Sequence, residues 1–289
     1  MGLWNDEQIE GHRKIVEACH SYGSVVIIQL NHAGYCSNPE CGPAIGPSAI
    51  ERTDFRGKYV TTEMSVDDIN ETQKAFVDAA VRAREAGYDG VQLHACHGYL
   101  INQFASSLTN KRNDSYGGTV QNRARFCTEI IRDIRKKCGE KFLISVRTTG
   151  FEKNLSDAVQ IAKEYVHVGC DYLQVSSGTV DLEGLPAFKD SKVTDIQSVG
   201  AYFHEVFKGI VPVSCVGGLK DPQQIHYLIK NDYVDTVDIG RAVLADPGFA
   251  NAVLEGKVFV PCFGCKACQY GPFTAHKCPA EQKRLQENV

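Results

Sequence analysis

Hydrophobic and polar positions along the chain repeat one phrase: an amphipathic stretch with helical spacing, a glycine at its end, then four to seven apolar or β-branched residues. Residues 8–20 lead through Gly23 into 25–30, and residues 66–85 lead through Gly87 into 90–94. Residues 122–137 pass Gly139 into 142–147, and residues 157–167 pass Gly169 into 172–176. Two further apolar runs follow at 211–216 and 234–239, so the pattern predicts six strands alternating with helices. Asn5 and Ser65 stand where side-chain oxygens can cap the first free helix amides. The Pro/Gly-rich stretch 38–47 reads as a long loop after a strand.

Apolar strands separated by helices imply a parallel sheet covered on both faces, and the lack of an early Gly-rich fingerprint argues against a dinucleotide-binding doubly wound sheet. The architecture expected is therefore α/β, a (β/α)8 TIM barrel, incomplete because six strands are two short of closure. From Gly256 onward the composition shifts to Cys, Gly and Pro without a further βα unit. This divides the chain into a barrel domain, 1–256, and a Cys-rich C-terminal segment, 257–289.

A length of 289 residues suffices for a full core, and a net charge of −4 offers no basic footprint for nucleic acid or an anionic membrane. The apolar run Val25-Val26-Ile27-Ile28 is far too short to span a bilayer. Twelve cysteines spread over a long α/β pattern, with no signal peptide in front, fit a reducing cytoplasmic setting better than a disulfide scaffold. Small neutral or acidic molecules remain as partners, and association of copies of the chain, or with a partner domain, is left open.

Barrel enzymes carry their chemistry at the carboxyl ends of the strands, where Gln29, His94, Arg147, Gly217 and Gly240-Arg241 all fall. His94 closes its strand, and His97 and Tyr99 follow on the loop, where two imidazoles can donate to one carbonyl oxygen. An isolated His pair of this spacing reads equally as loop, core or metal-ligating residues. The pairs Gly217-Gly218 and Gly240-Arg241 follow the last two strands, and glycines there let backbone amides approach a phosphate while Arg241 adds charge. Cys262, Cys265 and Cys268 have two residues between successive members, and Cys278 follows after nine more, a spacing able to ligate a metal centre. Cys19, Cys96, Cys127, Cys138, Cys170 and Cys215 read as small hydrophobes.

The run His94-Ala95-Cys96-His97-Gly98-Tyr99, continuing through Asn110, Arg112, Asp114 and Tyr116-Gly117-Gly118 to Asn122-Arg123 and Phe126, resembles the signature of the old yellow enzyme family. These are FMN-dependent ene-reductases and NADH:flavin oxidoreductases, and the likeness extends from Leu3 to Cys278. The resemblance implies FMN as cofactor, NAD(P)H as reductant and an α,β-unsaturated carbonyl compound as substrate. It implies that His94 and His97 hold the substrate oxygen and that Tyr99 delivers a proton. It further implies that Arg147 and Gln29 face the pyrimidine side of the flavin, and that Gly217, Gly218, Gly240 and Arg241 receive its phosphate.

The cysteine cluster is similar to that of the iron–sulfur branch, which includes 2,4-dienoyl-CoA reductase and enoate reductases, but departs from it in both gaps. A [4Fe-4S] cluster ranks ahead of zinc, with unligated thiols as a third alternative. In the family the motif ending Gln29-Leu30-Asn31-His32-Ala33-Gly34 lies on the third strand, so the first two strands and a flavin-contacting loop are expected to be missing. A rival expectation follows: a catalytically silent fragment that needs a missing segment or a partner. A flavin-free lyase or aldolase barrel is disfavoured, because no strand-end lysine suited to a Schiff base stands out.

Overall fold

The computed structural model describes residues 2–38, 40, 42–54, 57–177, 182–266, 268, 270–271 and 277–287. Six parallel strands form one sheet in sequential order, β1(Ile27–Leu30), β6(Gly90–Ala95), β7(Leu143–Thr149), β8(Tyr172–Ser176), β9(Val213–Cys215) and β10(Thr236–Val237). Between β1 and β6 the loop folds into two small sheets of its own: β2(Ile45–Gly46) with β5(Thr62–Glu63), and the hairpin β3(Glu51–Asp54)/β4(Gly57–Val60). The ten helices are α1(Ile9–His20), α2(Val66–Glu85), α3(Leu100–Ala105), α4(Val120–Cys138), α5(Leu155–His167), α6(Asp195–Phe207), α7(Pro222–Lys230), α8(Arg241–Ala245), α9(Phe249–Glu255) and α10(Pro279–Glu287) among the described residues. None of them is long and apolar enough to cross a membrane.

The six expected strands are all present and pair in parallel, as a (β/α)8 barrel requires, with β1 and β10 as the two edges of the sheet among the described residues. Their lengths differ from the apolar runs. β1 begins at Ile27 because the Val26 amide turns to the Asp89 carboxylate at 2.7 Å, and Val25 beside it is exposed. The same device recurs at 2.8 Å twice: Asp171 accepts from Ile144 N–H and Asp235 from Val213 N–H. Each aspartate immediately precedes its own strand, β6, β8 or β10, and satisfies an amide at the amino-terminal rim of the neighbouring strand, where the ladder between the two has run out. β7 runs on to Thr149, past its apolar run, and the last two strands shorten to Val213–Cys215 and Thr236–Val237.

Helix starts follow local chemistry. Ser65 Oγ accepts from Asp68 N–H at 3.1 Å, Thr119 Oγ1 from Asn122 N–H at 3.2 Å, and Asn154 Oδ1 from Asp157 N–H at 2.8 Å. The last two caps draw α4 and α5 back to Val120 and Leu155, each two residues earlier than the apolar periodicity indicates. At Asn5 the cap works in reverse, since Gln8 Oε1 accepts from Asn5 N–H at 3.1 Å.

Strand side chains alternate, and the two faces of the sheet differ completely. Val91, Leu93, Ile144, Val146, Leu173, Val175 and Val213 point outward and are buried under the helices, against a layer that includes Phe76, Phe126, Ile130, Tyr165 and Phe203. Burial of each large side chain there contributes about 1.5–3 kcal/mol. The opposite face carries Gln29, Gln92, His94, Ser145, Arg147, Gln174 and Ser214. Beyond Gly256 the chain packs on α8 through Val260, Ala280 and Ala245, with Cys262 and Cys278 against them, and the Asp246 carboxylate accepts from Val260 N–H at 3.1 Å. The helix α10 within this segment had no signal in the apolar periodicity.

Most of the long signature is scaffolding. Asn110 Nδ2 donates to the carbonyls of Phe104 and Tyr116, both at 2.7 Å, and Arg123 Nε donates to Ala105 O at 2.8 Å. Gly117 is required because a Cβ would lie 2.2 Å from Arg112 O. Arg112, itself buried, donates to Pro47 O and Met64 O at 3.0 and 2.6 Å and pairs with Asp114 at 2.6 Å, fastening the loop after β1 to the loop after α3. Replacing Arg112 with Met should therefore leave two carbonyls without their donor and Asp114 without its ion pair, and cost about 2–3 kcal/mol of stability. The difference in urea midpoint between the two proteins checks it, and a change below about 0.5 kcal/mol would remove Arg112 from this structural role.

Candidate active site

His94 is the fifth residue of β6, 4 % exposed, and its Nδ1 is buried without a hydrogen-bond partner. The chain then turns sharply: His97 has φ +59° and Gly98 φ +75°. Histidine is among the residues that tolerate this left-handed conformation, and glycine carries no penalty there. The turn brings three rings together at the strand end, with His94 centroids 5.2 Å from His97 and 5.0 Å from Tyr99. It is held from below by Asn102 Oδ1, which accepts from Gly98 N–H at 2.8 Å, and by Gln103 Nε2, which donates to Gly98 O at 2.6 Å and Ala33 O at 3.2 Å. His97 Nε2 shares a 2.7 Å hydrogen bond with Ser176 Oγ, at the end of β8.

Strand register places a row of polar residues beside this turn. His94, Arg147, Gln174 and Ser214 are successive partners across β6, β7, β8 and β9. One register step lower, Gln29 Nε2 donates to Gln92 Oε1 at 2.7 Å and Gln92 Nε2 to Ser145 Oγ at 3.0 Å. Arg147 Nε is buried and unpartnered. Burial, reinforced by the neighbouring His97 and the Arg147 charge, holds the His94 pKa down to about 4, and burial and Arg147 lower that of His97 as well. Both imidazoles are therefore neutral near pH 7, each able to donate one ring N–H.

Donor atoms of His94, Cys96 and His97 lie within 4.8 Å of one another, the one such trio among the described residues. A cation is nevertheless poorly served there. Burial pushes the Cys96 thiol up to about 12, so the thiolate is costly to form, and the Arg147 charge repels a metal ion. Neutral N–H donors next to a guanidinium suit an oxygen bearing or developing negative charge.

Arg147 and Gln174 continue into a cavity of about 640 Å³ whose wall includes Gly217, Gly218, Lys220, Asp238, Gly240 and Arg241. The volume is that of a cofactor site. Gly217 has φ +133° and a Cβ there would lie 2.9 Å from Ile196; Gly218 has φ +65° and faces Arg241 Nη2 across 3.9 Å from where a Cβ would stand. The two loops thus form a narrow cradle of backbone and guanidinium, a fit for a phosphate group. Inside the same cavity the buried, unpartnered Arg147 Nε is free to donate, whereas the exposed Gln29 stands outside its lining and gives its amide N–H to Gln92.

Arg241 and Cys262 also border a second, smaller pocket, which gathers all four of Cys262, Cys265, Cys268 and Cys278. No three of these sulfurs come within 4.8 Å of one another. Cys127, Cys138, Cys170 and Cys215 are buried free thiols, as expected of small hydrophobes, whereas Cys19 is half-buried.

The structure brings His94, His97, Tyr99 and Arg147 together, and Gly217, Gly218, Gly240 and Arg241 around one cavity; Gln29 lies at the sheet edge and reaches them only through Gln92. Sequence reasoning missed Ser176, Gln174, Asp238 and Lys220. Polar residues at alternate positions of apolar strands were the available signal for Gln174 and Ser176.

Residues 1–258 match the NADH:flavin oxidoreductase / NADH oxidase family. An NADH oxidase of Thermoanaerobacter brockii is 36 % identical over 264 residues, covering 88 % of this chain and 40 % of that protein. An NADPH dehydrogenase of Bacillus pumilus is 34 % identical over 259 residues, covering 88 % of this chain and 74 % of that one. Among solved structures, a 2-naphthoyl-CoA reductase superposes with a TM-score of 0.84 at 24 % identity, covering 99 % of this chain and 47 % of that chain, which supports the fold. The chain thus spans less than half of the first and third of these proteins and about three quarters of the second. Family match, identity and the arrangement at the strand ends agree that the chain belongs to the NADH:flavin oxidoreductase / NADH oxidase family, that is, the old yellow enzyme family of flavin-dependent oxidoreductases with TIM-barrel folds.

Proposed function

We propose that the chain is the FMN-binding catalytic unit of an ene-reductase that uses NAD(P)H to reduce the activated C=C bond of an α,β-unsaturated carbonyl compound. The observation that carries this reading is the pair of neutral imidazoles at the end of β6, 5.2 Å apart, beside the unpartnered Arg147 guanidinium. When bound, FMN supplies the hydride chemistry between nicotinamide and substrate. Gln29 and Arg147 would hold its pyrimidine side, and Gly217, Gly218, Gly240 and Arg241 its phosphate.

His94 and His97 each donate an N–H to the substrate carbonyl oxygen. A Ser176 hydroxyl donating to His97 Nε2 leaves the imidazole proton on Nδ1 and fixes that ring. As charge develops on the oxygen, each donor contributes about 3 kcal/mol in a site from which water is excluded. Tyr99 Oη carries the proton that reaches the α-carbon. The chain divides on this reading into a barrel, 1–256, and a Cys-rich segment, 257–289, whose four cysteines would hold a [4Fe-4S] cluster. A reducing cytoplasmic setting suits both the cluster and the buried free thiols.

With FMN-loaded protein, NADPH and 2-cyclohexenone under anaerobic conditions, His94→Ala should lower kcat about 100-fold with the flavin spectrum unchanged. Tyr99→Phe should slow only the reoxidation of the reduced protein by the enone. An unchanged rate in His94→Ala would defeat the mechanism, and failure of the unaltered chain to retain FMN would favour the silent-fragment reading.

The lowered His94 pKa has a measurable signature. Its ring should titrate near pH 4 by NMR, and because the unfolded ring takes up its proton near 6.5, its contribution to stability should fall as the pH drops from 6.5 towards 4. A ring midpoint near 6.5 would contradict the neutral-donor pair. For the tail, anaerobically prepared protein should contain iron and acid-labile sulfide, both lost in Cys265→Ser; stoichiometric zinc without sulfide would assign the cysteines to zinc instead.

A further inference from the structure

Asp238 stands at the end of the polar row, one residue past β10, and bridges two neighbouring strands: Oδ1 accepts from Gln174 Nε2 at 2.7 Å and Oδ2 from Ser214 Oγ at 2.5 Å. It lines the cofactor-sized cavity together with Arg147, Lys220 and Arg241, and it is the single carboxylate among the charged residues of that wall. Lys220 is turned to the tail, donating to Cys262 O at 3.1 Å, and Arg241 belongs to the glycine cradle, which leaves Arg147 as the cation that shares the inner end with Asp238. Their charges interact, although burial outweighs that attraction and raises the Asp238 pKa above the ordinary carboxylate value. A half-buried carboxylate in a site that would hold a phosphate and an anionic reduced ring is unfavourable unless its charge has a use.

We propose that Asp238 is a positioning residue whose carboxylate offsets the Arg147 charge at the ring end of the cavity, so that the site holds reduced flavin less tightly and the bound flavin is a stronger reductant. The inference rests on the FMN reading above. Transfer of a hydride from reduced nicotinamide adds two electrons and one proton to the neutral oxidised ring and leaves it with one negative charge. Arg147 favours that charge and Asp238 opposes it, so the balance of the two sets the reduction potential without either residue exchanging a proton or electron.

Asp238→Asn separates charge from architecture. Its Oδ1 can keep the Ser214 hydrogen bond, and its Nδ2 can donate to Gln174 Oε1, which is buried and unpartnered in the native protein, once that amide turns over. FMN-loaded native and Asp238→Asn proteins are compared at pH 8 by anaerobic dye equilibration and by sulfite titration; sulfite adds to the oxidised ring and leaves it with the same negative charge. The expected result is a higher midpoint potential and sulfite binding about tenfold tighter in the variant. Asp238→Ala should move both quantities in the same direction, which guards against an effect peculiar to the asparagine. Unchanged or oppositely shifted values with FMN bound would overturn this inference alone. Native chain that retains no FMN would overturn the functional reading and this inference with it.

Discussion

The parallel register of β6, β7, β8 and β9 is the constraint from which the candidate site derives. Each strand contributes alternate side chains to opposite faces, so a given register fixes both an apolar layer beneath the helices and a polar row on the other side. With His94 opposite Arg147, Arg147 opposite Gln174, and Gln174 opposite Ser214, four strands distant in sequence set their polar groups side by side. A slip of one residue would put Val146 or Val175 in that row and drive Arg147 into the hydrophobic layer. The apolar layer therefore enforces the geometry of the polar one.

A polar face inside a barrel is expensive unless its groups find partners. Here two hydrogen-bonded chains satisfy much of it, Gln29–Gln92–Ser145 and Gln174–Asp238–Ser214. The atoms left over are His94 Nδ1, Arg147 Nε and Gln174 Oε1, all on the row nearest the strand ends. Unsatisfied groups gathered there, next to a cavity of cofactor size, are what a binding site looks like before its ligand is considered. The Arg147 charge gives that site its sign. Burial, reinforced by that charge, keeps the two imidazoles neutral, and the charge makes the His94–Cys96–His97 trio a poor metal site despite its spacing.

Much of the signature that carries the family resemblance is not chemistry at all. Asn110, Arg112, Gly117 and Arg123 serve backbone carbonyls or make room for them, and together they fix the end of α3 and the loop after it; α3 in turn supplies the Asn102 and Gln103 that hold the turn carrying His97 and Tyr99. Precise placement of a few reacting groups needs a rigid support, and the support occupies more of the sequence than the groups themselves. The aspartates at 89, 171 and 235 play the same part at the opposite rim, each closing an amide that the sheet leaves open.

The sequence by itself determined the order and kind of the elements, because a helix followed by Gly and an apolar strand is a local pattern read within about twenty residues. It also determined the candidates His94, His97, Tyr99, Arg147 and the two glycine loops, since these fall at strand ends. Strand lengths were beyond it: the ends of β1 and β9 depend on carboxylates from Asp89 and Asp235, brought in by the following unit. So were Gln174 and Asp238, which look unremarkable in isolation and acquire meaning only when their register neighbours are Arg147 and Ser214. Protonation state, too, was decided by tertiary structure, because His94 is kept neutral by burial within the packed site, by the ring of His97 folded against it, and by the charge of Arg147, which stands on a strand more than fifty residues away. Local propensity acts along the chain, whereas burial and charge act through space, and the site is a product of the second.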